Sequence, residues 1–120
     1  MANPNIVNVS TIYGNTATLA VTTATTNVVS NPASSGQVYK INALTIANIN
    51  TLSSSVLINV EYNNAGANTY IARNVVVPAN SSLVVIGKDT AFYLLENSSV
   101  QLSAGSNSSL SALISYEQIS

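Results

Sequence analysis

The sequence contains no cysteine, no histidine and no tryptophan. Without Cys there is no disulfide. Without Cys or His there is neither a thiolate zinc site nor a histidine-ligated metal. Charge is scarce too: 3 Lys or Arg and 4 Asp or Glu make up 6% of the residues, against roughly 25% in an average soluble domain. Three scattered cations cannot neutralise many phosphates, so neither nucleic acid nor a charged membrane surface is an expected partner. No apolar run approaches the roughly 18–20 residues a membrane helix needs. The opening MANPNIVNVS has no basic segment leading into an apolar one, so no secretory leader is read there. Synthesis in a cytoplasm is expected.

What is present is apolar and neutral-polar. Hydrophobic residues form 47% of the 120, enough for one domain to fill a core without staples. Asn, Ser and Thr supply the polar remainder, as suits turns and the wet faces of strands. A net charge of −1 gives little self-repulsion, so copies are expected to associate.

The pattern along the chain is one of short strands. Residues Ile6 to Tyr13 read as a first strand, Gly14-Asn15 as a turn, and Thr16 to Thr22 as a second strand. Thr23 to Asn27 is polar, Val28-Val29 a short edge piece, and Pro32 to Gly36 a loop. Gln37 to Asn50 is a strand whose apolar parity changes midway, which predicts a bulge near Asn42. After a turn at Thr51 to Ser55, Val56 to Tyr62 is a strand with Val56, Ile58, Val60 and Tyr62 on one face and Leu57, Asn59 and Glu61 on a half-solvated one. Asn63-Asn64-Ala65-Gly66 predicts a hairpin returning through Thr69 to Val77, which Pro78 ends.

The remaining stretch, from Ile71 to Ala104, carries the clearest punctuation. Leu83 to Ile86 is a continuous apolar run that predicts a strand covered on both faces. A short aromatic piece, Ala91 to Leu95, and an alternating strand at Val100 to Ala104 follow. Leu110 to Ile119 closes the chain. Turns of Asn-Ser-Ser type recur at Asn80, Asn97 and Asn107. Eight to nine strands at this spacing predict an antiparallel β-sandwich, jelly-roll-like or immunoglobulin-like, with a barrel as the second choice.

The sequence points to no enzyme. Ser is abundant, but no His stands ready as its base. The acids Glu61, Asp89, Glu96 and Glu117 read as solvated turn residues or partners of Lys88 and Arg73 rather than a catalytic pair. Asp89, Glu96 and Asn97 lack the density of a Ca²⁺ loop. The aromatics Tyr13, Tyr39, Tyr62, Tyr70, Phe92, Tyr93 and Tyr116 read first as packing residues and second as a sugar-stacking platform. Sequons at Asn8, Asn80, Asn97 and Asn107 read as chance products of the Asn- and Ser-rich composition. No catalytic, cofactor-binding or metal-binding residue is assigned.

From Val38 to Ile119, the runs VYKINALTIANINT, VLINVEY, VVVPANSSLVVIGKDTAFYLLENSSVQLSA and SALISYEQI resemble small all-β virion structural proteins of tailed bacteriophages, cyanophages in particular. The resemblance lies in rhythm: a Pro turn before an apolar strand, an aromatic-Leu-Leu strand, then an Asn-Ser turn. It implies a capsid decoration (cement) protein at the capsid surface. Such a protein would contact the phage major capsid protein and copies of itself, as a homotrimer, with residues 1–30 as an extended N-terminal arm. A tail, neck or baseplate component is the alternative it leaves open, and a carbohydrate-binding module for host recognition is the reading from a different class. The mixed faces of Gln37 to Asn50 and the first thirty residues are the expected contact regions.

Overall fold

A computed structural model describes residues 11–50 and 54–120. It contains nine strands: β1 (Ile12–Val21), β2 (Thr26–Asn31), β3 (Val38–Asn48), β4 (Val56–Asn64), β5 (Ala67–Val77), β6 (Ser82–Ile86), β7 (Phe92–Leu94), β8 (Ser98–Ala104) and β9 (Leu110–Ile119). A single 3₁₀ turn, Lys88–Thr90, joins β6 to β7. The described residues contain no α-helix. One sheet has the order β1-β9-β3-β6, with β7 also pairing with β3; the other runs β2-β8-β4-β5. Every pairing is antiparallel.

The topology follows from one fold-over. The chain doubles back at the β4–β5 hairpin, where Asn64 pairs with Ala67. Ala65 and Gly66 take φ of 53° and 95°, the two-residue turn whose twist matches the strands. Working outward, β3 meets β6 and β7, β2 meets β8, and β1 meets β9. Rolling that long double ribbon into two layers produces the jelly roll. Of the topologies expected from sequence, this is the one formed; neither the immunoglobulin-like order nor the barrel is.

Between the sheets lies a core led by Ile41, Leu44 and Ile46 of β3, Ile58 and Val60 of β4, Leu102 of β8 and Ile114 of β9, all 0% exposed. Removing each such side chain from water contributes roughly 1.5–3 kcal/mol. The bulge expected near Asn42 is present: Ile41 pairs with Tyr116 and Ala43 with Ser115, so Asn42 is the extra residue. That lets Tyr39 and Ile41 on one side, and Leu44 and Ile46 on the other, all reach the core. The Asn-Ser-Ser turns work by left-handed residues: Asn80, Asn97 and Ser108 have φ of 56°, 59° and 59°, a conformation Asn tolerates well.

Three expectations need correction. Gly14-Asn15 is not a turn, because β1 runs through it, with Gly14 opposite Glu117 and Asn15 opposite Tyr116. Asn15 donates from Nδ2 to Gln118 Oε1 at 2.6 Å, so a residue type common in turns serves the ladder instead. The Leu83 to Ile86 run is not covered on both faces: β6 ends its sheet and Val84 is 63% exposed. Within the first thirty residues, Ile12–Val21 and the stretch from Thr26 on are strands of the two sheets, not an arm. The proposed strand start at Ile6 and most of the Thr51 to Ser55 turn lie outside the described residues.

Two buried asparagines tie the ends of the sandwich. Asn31 donates to the carbonyls of Gln37 and Leu94 at 2.9 and 3.1 Å and accepts from Ser35 Oγ at 2.6 Å. Asn48 donates to the carbonyls of Ser54 and Val77 at 2.9 and 3.0 Å and accepts from the Asn50 N–H at 2.9 Å. Each amide thus ties the carbonyl at the end of a strand, Leu94 of β7 or Val77 of β5, to backbone outside the strands.

Candidate interaction surfaces

The outer face of the five-stranded sheet is assembled from alternate residues of four strands. The registers align Thr16, Ser115 and Ala43 in one row, then Thr18, Leu113, Thr45 and Val84, then Ala20, Ser111, Ala47 and Ser82. None of these side chains carries a charge; the next row on this face, Gly14, Glu117 and Lys40, does. The small size of the uncharged residues leaves a shallow depression of about 650 Å³ over the face. Leu113 and Val84 rise from it at 48% and 63% exposure. In sequence these positions are scattered over nearly a hundred residues of Ser, Thr and Ala. Only the pairing of β1 with β9 and β9 with β3 brings them together.

A second surface lies where the β4–β5 hairpin meets β7. Tyr62, Thr69, Ile71, Phe92 and Tyr93 line a groove of about 330 Å³. Tyr62 and Phe92 meet edge to face, with centroids 5.7 Å apart at 78°, the arrangement aromatic quadrupoles favour. The Tyr62 hydroxyl donates to Ser98 Oγ at 3.4 Å, and Ser98 Oγ donates to Asn64 Oδ1 at 3.1 Å. The β5 edge here is irregular. Ala72 pairs with Val60 and Tyr70 with Glu61, leaving Ile71 bulged out, and a second bulge at Arg73-Asn74 faces Asn59. Asn74 has φ of 51° and its N–H donates to Asn59 Oδ1 at 2.8 Å. Beside the groove, the Arg73 guanidinium lies 5.2 Å from the Tyr70 ring centroid.

The other aromatics divide by role. Tyr39 is buried and stacks on Tyr116 at 5.4 Å. The Tyr39 hydroxyl accepts from Gln118 Nε2 at 3.0 Å. Burial, with Tyr39 adding a smaller effect, pushes the Tyr116 phenol above its ordinary pKa. Tyr13 is 60% exposed at the end of β1.

The acids do not gather. Asp89 is exposed on the 3₁₀ turn, whereas Glu96 is buried at the β7–β8 turn. Glu61 lies between Tyr70 and Gln101 on neighbouring strands. Glu117 lies between Gly14 and Lys40 and accepts from Asn42 Nδ2 at 3.1 Å. Among the described residues there is no group of three or more Asp or Glu placed to hold a metal ion. The expected contact region Gln37 to Asn50 forms the centre of its sheet, so it offers a neighbour one face and no free edge. Comparison with protein-family models and with curated proteins finds no match for the chain.

Proposed function

We propose that this protein is a non-enzymatic virion structural component, a capsid decoration protein that binds major capsid subunits and copies of itself at the surface of a phage head. The observation that carries this reading is the shallow, uncharged part of the outer face of the five-stranded sheet, from the Thr16–Ser115–Ala43 row to the Ala20–Ser111–Ala47–Ser82 row, with Leu113 and Val84 exposed on it. A broad patch without charge has little to lose on being covered and suits a protein–protein contact. The jelly roll serves viral capsid domains and lectins alike, so the fold narrows the choice without making it. Electron microscopy of particles assembled with and without the protein tests the reading. Surface density that appears with the wild type and is lost with Leu113→Lys plus Val84→Lys supports it. Unchanged capsid density overturns it, and missing tail or neck density moves the protein to that part of the particle.

The aromatic groove supports a second reading, a carbohydrate-binding module for host recognition. Tyr93 at 42% exposure beside Phe92 and Tyr62 presents the kind of ring surface on which a sugar stacks. Reproducible binding on a glycan array, abolished by Tyr93→Ala, is the result expected of this reading, and a blank array removes it.

A further inference from the structure

We propose that β1 is a pairing edge, and that two copies of this chain join through it about a two-fold axis centred on Thr16. The proposal deepens the self-association in the reading above and rests on it.

The two sheets have four edges among the described residues. A free strand edge invites another strand unless it is short, bulged, charged or covered. β2 has 6 residues and a bulge between Asn27 and Val29. β5 is bulged twice and carries Arg73. β6 and β7 have 5 and 3 residues. Among the described residues, β1 has none of these devices. It is 10 residues long, without Pro, Lys, Arg, Asp or Glu, and pairs with β9 from Ile12 to Val21 without a register shift. Among the described residues, no strand pairs with its other side.

The ladder fixes which groups face outward. Thr11 and Ser120 exchange both backbone hydrogen bonds, at 3.1 and 3.0 Å. Antiparallel ladders alternate, so the odd residues of β1 bond to β9. Ile12, Gly14, Thr16, Thr18 and Ala20 therefore turn their N–H and C=O groups to the free edge. An antiparallel edge of this kind is complementary to itself about a two-fold axis. Centring the axis on Thr16 sets Thr16 opposite its own copy, Gly14 opposite Thr18, and Ile12 opposite Ala20. This register engages all five outward-facing residues of each copy, which no other two-fold register does. On the other side of the strand it sets Tyr13, 60% exposed, opposite Leu19 of the second copy. No like charges meet anywhere along the seam. The two outer faces then join into one broad surface. Copies joined this way form dimers, in place of the trimer that the resemblance implies.

The chain has no Cys, which allows a clean test. A hydrogen-bonded antiparallel pair has Cα atoms about 5.5 Å apart, within disulfide reach. Mild oxidation should cross-link Thr16→Cys into a covalent dimer. It should leave Thr18→Cys monomeric on a denaturing gel, because each Thr18 lies four residues along from its copy. Light scattering on a sizing column should give the wild type a dimer mass and Thr16→Pro a monomer mass with unchanged circular dichroism. Pro there removes an N–H that the β9 ladder does not use. A wild-type mass of one or three chains overturns the proposal, as does cross-linking of Thr18→Cys in preference to Thr16→Cys. These outcomes leave the shell-binding reading to the microscopy, so the two fail separately.

Discussion

Replacing Asn48 by Ala should cost about 3 kcal/mol of folding stability. The buried side chain holds three hydrogen bonds: two donated, to the Ser54 and Val77 carbonyls, and one accepted from the Asn50 N–H. Each such bond contributes about 1 kcal/mol net. The Val77 carbonyl matters most, because that bond is buried and Val77 is 0% exposed. Unlike a group at the surface, it has no ready access to replacement water. With an unfolding entropy of about 2.1 cal/mol/K per residue, the same loss lowers Tm by roughly 12 °C for this chain. Urea unfolding followed by circular dichroism measures it, with an unchanged m-value showing that the folded state remains compact. Asn48→Asp provides the control. It keeps an acceptor for Asn50 but turns a carboxylate toward two carbonyls, which raises the folded-state pKa of the new group. Its contribution is therefore fully present below the unfolded carboxyl pKa of about 3.9 and is lost as pH rises through the folded value. The Asp variant should be less stable than the Ala variant at neutral pH and recover in acid. A loss below about 1 kcal/mol for Asn48→Ala, or an Asp variant indifferent to pH, would refute the claim that this amide organises the end of the sandwich.

Other outcomes follow from local geometry. Ala65 occupies the left-handed region at φ 53° ahead of Gly66, so Ala65→Asn should stabilise the hairpin by roughly 0.5–1 kcal/mol; thermal melts that show a loss would contradict the turn assignment. The phenol of Tyr116 has a raised pKa through burial and then through Tyr39. Its contribution to stability is thus full below the unfolded value of about 10 and is lost as pH rises through the folded one. Tyr116→Phe should flatten that alkaline loss in denaturation curves taken between pH 9 and 11. The bulge at Asn74 should accept Asn74→Gly with little change but lose about 1 kcal/mol with Asn74→Val, since a β-branched residue resists positive φ. Equal stability of the two variants would show that the left-handed conformation is not required there.

Much of the architecture was legible in the residues themselves. Period-two alternation placed Val56, Ile58 and Val60 on one inner face, and the parity switch in Gln37 to Asn50 located the bulge at Asn42. Asn64 and Gly66, residue types tolerant of positive φ, marked the hairpin, although the left-handed positions are Ala65 and Gly66. These are local signals, carried by steric limits on one or two residues. Where they misled, a longer-range partner decided. The turn signal at Gly14-Asn15 yielded to an unbroken ladder with β9, whose residues lie a hundred positions away. The apolar run at Leu83 to Ile86 looked buried, yet the outer face of a two-layer sandwich is uncovered, so alternate residues of its strands are exposed whatever their composition.

Composition and alternation by themselves determined a neutral, all-β, sandwich-forming chain without thiol or imidazole chemistry. Tertiary structure alone decided which strands became neighbours, and hence everything a partner would meet. The uncharged patch draws on β1, β9, β3 and β6, and the aromatic groove on β4, β5 and β7. The bare edge of β1 exists only because β9 closes one side of that strand and no described strand closes the other. Strand formation depends on each residue and its near neighbours, whereas surfaces and edges depend on strand order, which distant pairings set.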